Sequence, residues 1–300
     1  MRKTLILMAA GLLASAYAYS QDAAGVALEF AARPTDPVSY AQGGTSAFYS
    51  AAVRLEDEQP GVTASLMFAP FKTKTTKATD MGANIFIKTG RLAFGVSGFR
   101  EAGESMDIIN AQGQLEGTFK PTNMALGASV AFNIVPAYDL NVGVTARYLE
   151  SKLTSSSKLN TVAFDVMFSG DIQKESMELA AGVTNVGGKV KAEDGSKYPI
   201  PGAFTIAYKY YYELAAAHCL DIRIQEDIFF KGGNRHAVGM QYTYNNMLAA
   251  RLGYTKGGNT VLPSYFSAGA GVKFGGLSLD VAALFGDLAG TFVAGLTYRF

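Results

Sequence analysis

Few side chains in this sequence stand where reactive chemistry would need them. His218 and His236 are its only histidines and Cys219 its only cysteine. A nucleophile needs a base within hydrogen-bond reach, and a metal centre needs several ligands at set spacing. Neither histidine stands in such a motif, so both read as ordinary strand positions. Cys219, beside His218, reads as a lone thiol at a strand start. Gly269-x-Gly271 followed by Gly275-Gly276 resembles part of a phosphate-binding fingerprint, but that chemistry needs a following helix whose amides meet the phosphate. These glycines lie in an alternating segment and its turn, where they give room or relieve curvature. The run Lys72-Thr73-Lys74-Thr75-Thr76-Lys77 reads as a solvated loop, with contact to surface polysaccharide as the functional alternative. No catalytic group, metal ligand set or cofactor is expected.

The charges are more informative. Arg147, Asp165, Asp221, Arg223, Arg251, Lys273, Asp280 and Arg299 all fall on the polar face of segments that alternate with period two, the pattern of a strand with two different faces. Met124, Leu126, Ala128, Val130 and Phe132 share one face, and Ala125, Gly127, Ser129, Ala131 and Asn133 the other. Leu140 to Tyr148, Val162 to Ser169 and Thr291 to Phe300 repeat the pattern. These segments run about 10 to 12 residues, the reach of a tilted membrane strand, where globular strands average about 5 to 6. The expected fold is therefore all-β: a transmembrane antiparallel β-barrel of about fourteen strands, with the large apolar residues toward lipid and the charges toward the lumen. Charge on the lipid face would cost about 2 to 4 kcal/mol for Arg or Lys at the midplane. The lumenal charges have two readings, a selectivity or binding lining and a set of ion pairs that rigidify a closed lumen; their mixed signs favour the second.

Composition agrees. Apolar residues make up 49% of the chain, yet beyond the first residues no run approaches the ~20 needed for a membrane-crossing helix. Arg2 and Lys3, the apolar run Leu5 to Ala14 and the small residues up to Ala18 have the layout of a secretory signal peptide, so residues 1–20 are expected to be removed near Ala18 to Gln21. A single cysteine excludes an intramolecular disulfide framework. A net charge of +1 leaves no footprint for nucleic acid. Residues 21–58 show no long alternation and contain Pro34 and Pro37; residues 59–300 form the expected barrel.

Connections give an independent test, because outer-membrane barrels alternate short periplasmic turns with longer outer loops. Short turns are expected near Thr89-Gly90, Val135 to Ala137, Gly170 to Lys174, Glu213 to Ala217, Asn245-Asn246 and Gly275-Gly276. Longer links are expected over 70–79, 101–122, 151–158, 185–202, 229–234, 256–263 and 286–289. The two kinds alternate strictly, and both barrel ends fall on the periplasmic side. Tyr210, Tyr212, Tyr242, Tyr244, Phe274, Tyr298 and Phe300 collect at that boundary as an aromatic girdle. Phe300, closing an alternating strand, is the expected signal for barrel assembly. The location these features imply is the outer membrane of a Gram-negative cell, with its lipid as the first partner.

Three stretches resemble one family, the PorV/PorQ group of Bacteroidetes outer-membrane proteins, itself similar in fold to FadL-type transporters. Gly182-Val183-Thr184-Asn185-Val186-Gly187-Gly188, followed by Pro199-Ile200-Pro201-Gly202, resembles an Asn-Leu-Gly, Leu-Pro, strand pattern. Leu248 to Tyr254, with Arg251, Gly253 and Tyr254, resembles a Leu-Arg-x-Gly-Tyr strand, and Leu277 to Ala282 a Leu-Asp-Tyr-Ala strand. Upstream, Ala41 to Ala47 sits where the family has a Gly-Gly-Ala segment; Phe48 to Val53 replaces its Asn-Pro-Ala. The resemblance implies a FadL-like barrel with residues 21–58 as a hatch in its lumen, and a non-enzymatic role. That role is as a partner or substrate-receiving subunit of type IX secretion, meeting the translocon barrel and substrates with C-terminal signal domains. The alternative is a FadL-like passive channel for small hydrophobic compounds.

Overall fold

The computed structural model describes residues 25–57, 59–72, 77–110, 112–154, 158–173, 176–192, 195–257, 263–286 and 290–300. The expected signal peptide lies outside the described residues, as do residues 73–76 of the basic run. The alternating segments are strands: β1 (Gly61–Lys72), β2 (Lys77–Thr89), β3 (Leu92–Gly103), β4 (Met106–Ile109), β5 (Leu115–Phe119), β6 (Thr122–Val135), β7 (Leu140–Lys152), β8 (Lys158–Gln173) and β9 (Met177–Gly187). They continue with β10 (Val190–Lys191), β11 (Lys197–Tyr198), β12 (Ala203–Ala215), β13 (His218–Phe229), β14 (Asn234–Tyr244), β15 (Leu248–Lys256), β16 (Tyr265–Phe274), β17 (Leu277–Gly286) and β18 (Thr291–Arg299). Fourteen of them form one closed barrel in which every neighbour is antiparallel; β4–β5 and β10–β11 are separate small hairpins in the two longest links. Pairing of Thr63 with Arg299 and Phe68 with Ala294 joins β1 to β18 and removes the sheet edge.

At the inner end, where the short turns and both barrel termini lie, Asn245 and Asn246 adopt φ of 53° and 52°, the two positive values a two-residue hairpin turn demands. At the outer end the link expected over 70–79 is much shorter. β1 and β2 stay paired through Pro70 with Thr79 and Phe71 with Ala78 as far as Lys72 with Lys77.

The outward face is apolar along its middle. Leu252 and Phe292 are each 62% exposed, and continuous apolar exposure of this kind belongs against hydrocarbon rather than water. Tyr212, Tyr244, Phe274, Tyr298 and Phe300 are exposed at the inner boundary, with Tyr298 and Phe300 edge to face at 4.7 Å. Outward-facing Arg100, Lys158 and Lys256 mark the outer boundary. Leu252→Arg, at mid-strand between these limits, is expected to lower stability by about 2–4 kcal/mol in a bilayer, measured by denaturant unfolding in vesicles. Unchanged stability would mean that this face does not meet lipid.

Candidate functional site

Residues 25–57 occupy the lumen and run from its outer to its inner end. The Ala27 amide donates to the Pro199 carbonyl of the outer loop at 2.9 Å. A turn of 3₁₀ helix, Glu29–Ala32, follows. Here Leu28 and Phe30 are buried with Phe71, Phe99, Leu149 and Leu284 of the wall, and the Phe30 and Phe99 rings stack with centroids 6.1 Å apart. The outer half of the lumen thus holds an apolar cluster built on the chain's own N-terminal side chains. At the same level, between Phe71 and Phe99 in the strand register, Arg33 pairs with Glu101, lies 3.6 Å from Asp80 and stacks over the Phe71 ring.

At mid-depth comes helix α1 (Pro37–Ala41), which Asp36 caps by accepting from the Ser39 amide at 2.6 Å while Pro37 fills its first turn. Helix α2 (Ala51–Asp57) continues toward the inner end. There Ala51 and Leu55 pack on Phe86, Ala93 and Ala131, and Phe48 and Val53 on Met167 and Ala180.

Lumenal glycines make the seat for α1 and the turn after it. A Cβ on Gly253 would collide with the Gly43 amide and the Gln42 carbonyl carbon; one on Gly239 would lie 2.5 Å from Gln42 Cβ, and one on Gly269 2.5 Å from Ala41 Cβ. On Gly295 it would sit 2.6 Å from Pro37 Cγ. Wall hydroxyls then satisfy the backbone laid there: Thr255 Oγ1 donates to the Gly43 carbonyl at 2.6 Å, the Gly43 amide to Ser267 Oγ at 3.1 Å, and Ser267 Oγ to the Ala41 carbonyl at 2.9 Å. The Ala47 amide donates to Gln225 Oε1 at 2.9 Å. A buried backbone with these bonds made is fixed in register.

The structure places the eight charges named from the sequence on the lumenal side, and most of them pair. Arg147 and Asp165 approach to 2.8 Å, Arg223 and Asp221 to 2.9 Å, and Arg251 and Asp280 to 2.7 Å. Lys273 and Arg299 have no ion-pair or side-chain hydrogen-bond partner among the described residues, and both line the inner vestibule. Sequence reading passed over a further network in which Asp227 accepts from Arg235, Gln225 and Thr205. Asp227 is on the same period-two face as Asp221 and Arg223, so extending that face to the strand end would have found it.

Asn185 of the quoted motif is a β-bulge residue at φ 53°. Its amide donates to Asp165 Oδ1 at 2.6 Å, its Oδ1 accepts from Arg147 at 2.6 Å, and both Asn185 Nδ2 (3.3 Å) and Arg147 (3.1 Å) donate to the Ala31 carbonyl. The motif therefore holds the N-terminal segment to the wall. Gly187 lies too close to the Val162 carbonyl for a side chain, and Pro201 is buried ahead of β12. Tyr254 packs outward on Phe266, 4.5 Å between centroids. The histidines stand on the outward face of the wall: His218 meets the Tyr242 hydroxyl at 2.5 Å and His236 bonds Glu226, while Cys219 accepts from the Tyr211 hydroxyl at 2.7 Å.

Spaces remain around the segment among the described residues. One of about 220 Å³ lies at mid-depth beside Ser97, Ser129, Thr145 and Arg147. Another, of about 610 Å³, is a vestibule at the inner mouth bounded by Pro37, Val38, Lys273, Ser278 and Arg299.

Gly253→Ala is expected to unseat α1, since its neighbours are backbone atoms with nowhere to go. The cost is about 1–3 kcal/mol, seen as a lower midpoint of heat-modified gel migration together with a higher single-channel conductance; if neither moves, the segment is not held at this seat. Arg251→Ala leaves Asp280 buried without its cation and should cost about 3–5 kcal/mol. Retained thermal stability with altered permeation would instead make Arg251 a selectivity residue.

No family model matches the chain, and no curated protein matches it. Solved structures do. The toluene transporter TbuX of Ralstonia pickettii superposes with a TM-score of 0.60 at 14% identity, over 90% of this chain and 100% of that one. The toluene transporter TodX of P. putida gives 0.61 at 10% identity, over 90% and 99%, and a FadL homologue of Pseudomonas aeruginosa 0.52 at 11%, over 92% and 97%. At such identities the likeness is one of fold, and none of the three is described as a PorV/PorQ protein. The fold of this chain is the FadL-like one, a closed fourteen-stranded antiparallel barrel with short helical turns at its N-terminal end.

Proposed function

We propose that the chain is a non-enzymatic outer-membrane conduit for small hydrophobic compounds. The observation that carries this reading is the apolar compartment in the outer half of the lumen, where Leu28 and Phe30 lie against Phe71, Phe99, Leu149 and Leu284. A side chain of this size gains about 1.5–3 kcal/mol from burial. A small aromatic or aliphatic solute gains on the same scale, so it can exchange with Phe30 without leaving a cavity. The N-terminal segment acts as a hatch that occupies the site when no solute does. Structures of the same fold include toluene transporters, which supports this solute class. The short resemblances to the PorV/PorQ group have a different explanation in the lumen: Asn185 docks the Ala31 carbonyl, Gly253 makes room for Gly43, and Arg251 pairs with Asp280. They carry no separate argument for a role in type IX secretion.

Uptake of the apolar dye N-phenyl-1-naphthylamine by a porin-deficient Gram-negative host tests the reading. Expression of the chain should raise uptake several-fold, and Phe30→Ala, which empties part of the compartment, should raise it further. If uptake stays at the level of the empty host for both, while the chain co-purifies with a large translocon barrel, the secretory role replaces this one.

A further inference from the structure

The lumenal ion pairs leave two cations over, and both stand in one place. Arg147, Arg223, Arg235 and Arg251 each meet a wall carboxylate, whereas Lys273 on β16 and Arg299 on β18 meet none among the described residues. They are two strands apart, separated only by Ser278 and its neighbours on β17, since Lys273 pairs with Ser278 and Ser278 with Thr297. Two strand spacings together with the two residues from Thr297 to Arg299 separate their backbones by about 12 Å, which two long cationic side chains pointing into one space can bridge around a single oxyanion. Among the described side chains that line the vestibule they share, four are cationic, Arg54, Arg251, Lys273 and Arg299, and two are carboxylates, Asp36 and Asp280; Phe300 lines it as well. Arg251 and Asp280 neutralise each other, and Arg54 is engaged by Asn84 and the Phe86 ring. Lys273 and Arg299 are therefore the two cationic side chains of this space with no ion-pair or side-chain hydrogen-bond partner among the described residues. The opposite wall of the same space is apolar, formed by Pro37 and Val38 of the N-terminal segment with Met67 of β1.

We propose that the inner vestibule is a binding site for a small organic carboxylate, its oxyanion held by Lys273, Arg299 and the Ser278 hydroxyl and its carbon body laid on Pro37, Val38 and Met67. Charge-assisted bonds to two cations supply the recognition, and a space of about 610 Å³ admits a ring-sized molecule. The site does not depend on the conduit reading: it concerns binding at the inner mouth, whatever passes the outer compartment.

The experiment is calorimetric titration of the full-length barrel in detergent with benzoate, inorganic phosphate and benzyl alcohol. Benzoate should bind, and more weakly at high salt than at low, as screening of a charge-held ligand requires. The Lys273→Gln/Arg299→Gln double variant should weaken it about tenfold or more, while Lys273→Arg and Arg299→Lys, which keep the charge, retain it. Heat-modified migration checks that each variant is still a folded barrel, and Lys273→Gln alone provides a milder variant with an intermediate effect. Benzoate affinity unchanged in the double variant, benzyl alcohol binding as tightly as benzoate, or no benzoate binding to the wild type would each overturn the proposal. Phosphate binding as tightly as benzoate would overturn the assignment to an organic carboxylate. Dye uptake through the outer compartment is read separately, so loss of one reading leaves the other standing.

Discussion

Every backbone amide and carbonyl placed in hydrocarbon must find a partner within the protein, and that constraint organises this molecule. It is met here by closing fourteen strands on themselves, with Thr63 to Phe68 against Ala294 to Arg299 as the last seam. Closure fixes two faces per strand with no freedom to exchange them, since a slip of one residue would turn every charge toward lipid. Outside, the solvent is lipid and the side chains are Leu, Val and Phe. Inside there is a space that must be filled, lined or left open, and what this sequence places there decides its function.

The filling is the chain's own N-terminal segment, held by side-chain packing toward its two ends and by close backbone contact at its middle. Four wall glycines let α1 and the turn after it come within backbone contact of β14 to β18. Thr255 and Ser267 convert that closeness into hydrogen bonds. The bulge at Asn185 adds a second tether on the far wall through the Ala31 carbonyl. Both attachments use groups that water can also satisfy, so their net worth is modest, on the order of 1 kcal/mol per bond.

The barrel was legible in the sequence because period-two alternation and the rhythm of short and long links are properties of single strands and their turns. Phe292 to Phe300 alternates whether or not its partner strand is known. Residues 25–57 offered no such signal: α1 and α2 are too short to show a helical period, and their positions are set by contact with strands away in sequence, β15 to β18 for α1 and β3 and β6 to β8 for α2. The glycines were read as giving room without a sign of what the room was for. The same limit applied to the charges. Strand parity put Arg251 and Asp280 on the lumenal face, but pairing depends on their lying across β16 from one another, and only the closed register supplies that. Asp227 and Arg235 were passed over although parity alone would have placed them on the same face.

The filled lumen is asymmetric along its axis. The outer level holds Leu28 and Phe30 with Arg33, Glu101 and Asp80 beside them; the middle is crossed by Arg147 with Asp165; the inner vestibule carries Lys273 and Arg299. A solute partitioning by hydrophobicity meets its best environment at the outer end and must then cross a polar belt whose charges are already satisfied. Satisfied pairs neither trap such a solute by charge nor welcome it by burial. On the conduit reading proposed above, passage is limited by the belt and by the N-terminal segment, which touches all three levels.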